Sequence, residues 1–190
     1  MTSSAIDCPD YEMTELTESM TDSGAPSASE HEQLKSVVLK PGDVRFAAMN
    51  LLARREHLRA ELQRKLIKRF KEEPLAEASI DLDSVLNQLQ DDGLLSDQRF
   101  VESYIRLRGG NGYGPDRIRH ELRQKGAAGE LVKTSMETCE IDWFSRAVEV
   151  RKKKFGDAVV DDLKEKSRQL RFLNYRGFGG EMAAFALEKG

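Results

Sequence analysis

From Asp43 onward the chain sets its apolar residues at helical intervals and hardly anywhere in alternation. Across 44–70, Leu51, Leu52, Leu58, Leu62, Leu66, Ile67 and Phe70 predict two helices with a break near Arg55–His57, and "EEPLAEAS" follows as a loop. Asp81 is placed to cap a helix with the stripe Val85, Leu86 and Leu89. Ile80 and Val85 form its hydrophobic staple and Gly93 its stop. Ser96 and Asp97 open the next helix, with Phe100, Val101, Tyr104 and Ile105 on one face, and Gly109 and Gly110 are expected to end it. Pro115 suits the first position of a helix carrying Ile118 and Leu122 and closed by Gly126. Leu131, Val132, Met136 and Cys139 mark a short helix; Trp143, Phe144, Ala147, Val148, Val150 and Phe155 mark a longer one ending at Gly156. Helices over roughly 159–175 and 181–189 complete the series, and with few β-branched residues no strand is expected.

The pattern also repeats. "ELRQKGAAGELVKTSM" (121–136) aligns without a gap on "FLNYRGFGGEMAAFAL" (172–187), matching Leu122 to Leu173, Lys125 to Arg176, Gly126 to Gly177 and Glu130 to Glu181. A weaker copy, "ELQRKL" (61–66), precedes them. The expected fold is all-α: three tandem three-helix repeats, about nine helices, over 43–95, 96–140 and 141–190, in an elongated array. Residues 1–42 are rich in Ser, Thr, Asp and Glu and have little periodic apolar content, so they are expected to form a disordered tail.

Charge divides along the same boundary. Residues 1–45 hold nine acids and three bases, a balance of −6, and the remaining 145 hold 27 bases and 24 acids, or +3. An acidic tail of this kind is expected to screen the basic body and weaken non-specific contact with nucleic acid. The two cysteines, Cys8 and Cys139, are far apart and form no C-x-x-C pair, so neither a disulfide framework nor a zinc site is expected, and a reducing cytoplasm fits. The first residues lack the basic and apolar runs of a secretory signal, and no stretch approaches a membrane span.

Chemistry, if present, would be sought in "GGNGYGPDRIR" (109–119), which packs four glycines and a proline into seven residues. It lacks the Gly-Lys-Ser/Thr of a phosphate loop, the third glycine of a dinucleotide fingerprint and a preceding strand, so it reads as a flexible helix–helix joint. His31 lies in the tail, and His57 and His120 read as structural histidines on helices. The acid pairs Asp91/Asp92 and Asp161/Asp162 sit at helix edges. No metal-ligand spacing occurs, no cofactor is expected, and the chain does not read as an enzyme.

The basic residues say more. Lys164, Arg168, Arg171 and Tyr175 share one helical face; Arg119 and Arg123 flank the Ile118/Leu122 stripe on one side and Arg117 on the other; "RKKKF" (151–155) adds a cluster. Each alone is also what a solvated helix face looks like. As three clusters on a repeat array they read as a surface for phosphates or carboxylates. The candidate contact residues are Arg106, Arg108, Arg117, Arg119, Arg123, Lys125, Lys152, Lys153, Lys164, Arg168, Arg171, Tyr175 and Arg176.

Four separated blocks, "LLARREHLRAELQRKL" (51–66), "LQDDGLLSDQRFVESYIRLR" (89–108), "GYGPDRIRHELRQKG" (112–126) and "RFLNYRGF" (171–178), together resemble RecX, the bacterial regulatory family of the RecA recombinase. The resemblance spans about residues 45–190; Leu58 departs from it, standing where the family usually has serine. It implies three-helix repeats in a curved array. It also implies binding to RecA filaments in their groove, inhibition of ATP hydrolysis and strand exchange, and a role in DNA repair, recombination and the SOS response. A cytoplasmic monomer acting on the RecA filament is the expectation. A helical module binding single- or double-stranded DNA directly is the alternative, and a generic helical adaptor is a weaker third.

Overall fold

A computed structural model describes residues 39–157 and 161–189, and the expected disordered tail lies almost wholly outside them. Ten α-helices and no strand occur among the described residues: α1 (Pro41–Leu52), α2 (Arg59–Phe70), α3 (Glu72–Glu77), α4 (Leu82–Asp91), α5 (Asp97–Gly110), α6 (Pro115–Lys125), α7 (Gly129–Thr138), α8 (Trp143–Phe155), α9 (Leu163–Arg176) and α10 (Gly180–Glu188). The helix starts follow the capping chemistry. Asp81 accepts from the Asp83 N–H (3.0 Å), Ser96 from Arg99 (3.3 Å) and Asp162 from Glu165 (3.0 Å). Gly126 and Gly177, matched in the sequence repeat, both end their helices at φ 91°.

Three apolar clusters form. The first joins α1, α2 and α4 through Val44, Leu62, Leu66, Leu86 and Leu89. The second joins α5, α6 and α7 through Val101, Ile105, Ile118, Leu122 and Val132. The third joins α8, α9 and α10 through Ala147, Leu173, Phe178, Ala183 and Ala186. Burial of each large side chain contributes about 1.5–3 kcal/mol, so each cluster outweighs the weak propensity of its short helices.

Four details differ from the sequence reading. The stretch read as a loop contains α3, whose Leu75 is buried in the first cluster. The first helix starts at Pro41, two residues early, because Asp43 reaches back to accept the Lys40 N–H at 2.9 Å. His57 lies in the turn before α2, buried, rather than on a helix. Helix α5 runs through Gly109 and Gly110 instead of stopping before them. Arg146 of α8 donates to both of their carbonyls, from Nε to Gly109 at 2.8 Å and from Nη2 to Gly110 at 2.5 Å. Arg146 thus adds a second donor to the Gly109 carbonyl, which already accepts the Gly112 N–H, and supplies the Gly110 carbonyl from the next repeat.

The glycine stretch is no flexible joint either. The Gly114 N–H donates to the Arg176 carbonyl at 2.8 Å, and the Asp116 N–H donates to the Gly177 carbonyl at 3.1 Å. A Cβ added at Gly114 would collide with the Gly177 backbone, and one added at Gly177 would collide with Arg117. The sequence shows that glycine permits many conformations, but not that a neighbouring backbone occupies the space its missing side chain leaves.

The first and second repeats meet in the same manner with looser chemistry. Gly126, at the C-terminal end of α6, lies beside Ala60 near the start of α2, and Arg64 Nη2 donates to the Lys125 carbonyl at 3.4 Å. In both junctions the C-terminus of one second helix abuts the N-terminus of the preceding repeat's second helix, which sets opposite dipole ends together. Leu58 is buried in the second cluster, and the α2 N-terminus takes its cap from another repeat: Asp97 Oδ1 accepts the Arg59 N–H at 2.7 Å.

Three substitutions test this packing. Gly177→Ala combines a left-handed backbone with a backbone collision and is expected to cost more than about 2 kcal/mol in urea melts. Gly93→Ala, at φ 69° with open space around it, is expected to cost about 1 kcal/mol. Equal costs would mean the junction is not close-packed. Leu58→Ser, although it restores the residue usual in the resembled family, is expected to lose about 2–4 kcal/mol, because it empties a buried site; a neutral effect would refute the role of Leu58 as a plug between repeats.

Candidate interaction surface

Every N–H from Asn111 to Asp116 is spoken for, Pro115 having none. Asn111, Gly112 and Tyr113 donate to Leu107, Gly109 and Arg108, and Gly114 and Asp116 donate to the third repeat. The stretch therefore offers no amide cradle to a phosphate, and the N-terminus of α6 is plugged by the carbonyls of α9.

Around that junction lies a polar cluster centred on Glu121 of α6. Arg108 donates from Nε to Glu121 Oε2 at 2.7 Å and from Nη2 to Oε1. Arg117 Nε donates to Oε1 at 3.0 Å, and the Tyr104 hydroxyl donates to Oε2 at 2.9 Å. The Arg117–Glu121 pair follows from i,i+4 helix spacing, whereas Arg108 and Tyr104 arrive from the packing of α5 on α6. The Tyr113 ring lies 3.8 Å from the Arg108 guanidinium carbon, 4.6 Å from that of Arg117 and 5.1 Å from that of Arg176. Arg117 also donates to the Tyr175 carbonyl at 3.3 Å and sits 5.3 Å from its ring. Lys125 lies 5.5 Å from the Tyr104 ring. Cation–π contacts of this kind contribute about 0.5–2 kcal/mol each.

The candidate residues thus separate by location. Arg108, Arg117, Tyr175 and Arg176 gather about the junction of the second and third repeats, while Lys125 stands at the other end of α6, beside the Tyr104 ring. Arg119 and Arg123 line a groove of about 310 Å³ beside α7, and Arg119 pairs with Asp116 at 2.8 Å. Arg106 points to a separate groove, with Ser135, Cys139 and Ile141. On α8, Lys152 pairs with Asp157 at 3.3 Å and Lys153 is exposed. On α9, Arg168 pairs with Glu165 at 3.1 Å and covers the Phe155 ring, while Lys164 and Arg171 are exposed. Not all of the "RKKKF" cluster faces outward: Arg151 is fully buried, with Nε on Gln169 Oε1 at 2.9 Å.

Sequence reasoning missed Glu121, Tyr104, Tyr113 and Arg146. The spacing of Glu121 from Arg117 was the one signal available; Tyr104 and Tyr113 meet their partners through the packing of α5 on α6, and Arg146 acts across repeats. Of the histidines, His57 is held below its usual pKa by burial first and by Arg55 second, against the pull of Glu61. His120 is exposed and contacts Gln124 at 3.0 Å.

Burial alone would raise the Glu121 pKa, but the hydrogen bonds from Arg108, Arg117 and Tyr104 outweigh it and hold the carboxyl at about 2, below its ordinary 4.5. Burial, then the bond to Glu121, pushes the Tyr104 hydroxyl up to about 12. A carboxylate whose folded pKa lies below its unfolded value stabilises the fold above the unfolded value and loses that contribution as pH falls towards the folded one. Glu121→Gln is therefore expected to cost about 2 kcal/mol at pH 7. In urea melts the gap from wild type should narrow between pH 4.5 and pH 2; a gap independent of pH would refute the charge role.

Similarity to known proteins follows the same boundaries. Residues 96–136 match the family model for the second three-helix domain of RecX, and residues 140–187 match that for the third. The regulatory protein RecX of Pseudomonas entomophila (strain L48) is 44% identical over 149 residues, covering 78% of this chain and 92% of that one. The RecX of Pseudomonas putida (strain GB-1) is 42% identical with the same coverage. The crystal structure of RecX from Lactobacillus salivarius superposes with a TM-score of 0.63 at 20% identity, over 78% of this chain and 94% of that chain, which shows a shared fold. With the helical repeats and four sequence blocks already in place, these similarities make the chain a member of the RecX family of regulatory proteins.

Proposed function

We propose that the protein binds RecA nucleoprotein filaments in the cytoplasm and lowers their ATP hydrolysis and strand exchange, acting by occupancy rather than catalysis. The observation that carries this reading is the junction of the second and third repeats, where backbone hydrogen bonds and the Glu121 cluster hold Arg108, Arg117, Tyr175 and Arg176 together at one edge. A filament presents the same surface again and again. A protein of fixed repeats meets it at several points, so modest contacts add through effective concentration. The residues proposed to touch the partner are the exposed cations Arg106, Arg123, Lys153, Lys164, Arg168 and Arg171, together with Arg176 and Tyr175. Arg108 and Arg117, tied to Glu121, serve more to shape the edge.

The domain organisation proposed is three successive repeats over 43–95, 96–140 and 141–190. A monomer suffices for this function, because each repeat junction is made within one chain.

Sub-stoichiometric protein is expected to lower the single-strand-DNA-dependent ATPase of RecA, and an unchanged rate at saturation would refute the proposal. Fluorescence anisotropy on naked single-stranded DNA at rising salt tests the rival reading, since direct binding would fall steeply with salt. Tight binding there with no effect on filaments would favour a nucleic-acid-binding module.

A further inference from the structure

The outward face of α9 differs from its counterpart on α6. Lys164, Arg168, Arg171 and Tyr175 follow one another along it at spacings of four, three and four, while Leu163, the first residue of α9, lies about 100° around the helix from them. All four are exposed, and Tyr175 (74%) is among the most exposed large apolar side chains of the described residues. Arg168 is paired with Glu165; Lys164 and Arg171 have no ion pair among the described residues.

The matching positions, by the repeat offset, are Tyr113, just before α6, and Arg117, His120 and Gln124 on it. Tyr113 lies under guanidinium groups and Arg117 is on Glu121, whereas His120 and Gln124 are exposed and meet each other. The first half of this stripe is thus half-buried in the second repeat, while Lys164 and Arg168 are exposed in the third. Tyr175 is also held in place, because Arg117 bonds its carbonyl and approaches its ring.

We infer that the outward face of α9 is the docking surface for an acidic protein partner, whose carboxylates meet Lys164, Arg168 and Arg171 and whose apolar groups cover Tyr175. The near-neutral body, 27 bases against 24 acids beyond residue 45, favours protein over nucleic acid, which is held chiefly by an excess of positive charge. Tyrosine and arginine are the residue types that dominate binding energy in protein interfaces. The inference rests on the filament reading, in which this partner is RecA.

Arg171→Glu and Tyr175→Ala alter exposed side chains, so circular dichroism should show both folded. Each is expected to raise by at least tenfold the concentration that half-inhibits the RecA ATPase, while Lys68→Glu, on the exposed surface of α2, leaves it unchanged. If wild type inhibits and both variants match it, the docking face is wrong while the filament reading stands. If wild type has no effect on RecA, the filament reading fails and takes this face with it. If Lys68→Glu weakens inhibition as much as Arg171→Glu, the effect is general charge and the face is refuted. If the variants lose affinity for naked single-stranded DNA in the same proportion as inhibition, nucleic acid is the occupant and an acidic protein is not.

Discussion

Gly114 and Gly177 lie where two polypeptide backbones touch, and the relation between the second and third repeats depends on neither residue having a side chain. With the backbones this close, two carbonyls at the end of α9 reach two amides at the start of α6. Those amides and carbonyls are the groups a helix end leaves without partners, so one contact satisfies both ends at once. It also places the negative end of one helix dipole on the positive end of the next. Arg146, which holds the last carbonyls of α5, fastens the same junction from its other side. The basic edge of the protein has a defined geometry because its two halves, one on α6 and one on α9, are tied by backbone rather than by long side chains.

Electrostatics at that edge turns on a single acid. Glu121 takes hydrogen bonds from two arginines and a tyrosine, which immobilises both guanidinium groups against the Tyr113 ring. One negative charge thereby organises a site that stays positive overall, since Arg108, Arg117, Lys125 and Arg176 all lie around it. Ordering before binding matters for arginine, whose rotamer freedom would otherwise be lost on contact with a partner. On the α9 face Glu165 pairs with Arg168 and also accepts from Gln169, while Lys164 and Arg171 have no ion pair among the described residues.

The helices, most of their caps and the repeat were legible in the sequence, because each depends on residues within one or two turns of each other. Asp81, Ser96, Gly126 and Gly177 do what their neighbours in sequence require of them. What escaped was set between repeats. Gly109 and Gly110 do end α5, but as its last two residues, with Arg146 on their carbonyls, and Gly114, which reads as a hinge, has the Gly177 backbone in the space its side chain would take. Leu58 looked like a departure at a turn, and it is a plug in the core of the following repeat. The candidate arginines were found as a set, but their division into held and open ones depends on Glu121, whose partners come from two different helices.

The first repeat shows why the copies are unequal. Where the second and third carry Gly126 and Gly177, the aligned position in the first is Leu66, fully buried in its own cluster. A glycine there would serve only to dock α2 on the second helix of an earlier repeat, and no such repeat stands before it among the described residues. Helix α2 instead continues to Phe70, and the chain turns at Lys71 with φ 55° into α3, which adds Leu75 to the first cluster. The extra turn of α2 and the added helix α3 stand where the other two copies stop at glycine, and they explain why the copy of the motif in residues 61–66 is the faintest of the three.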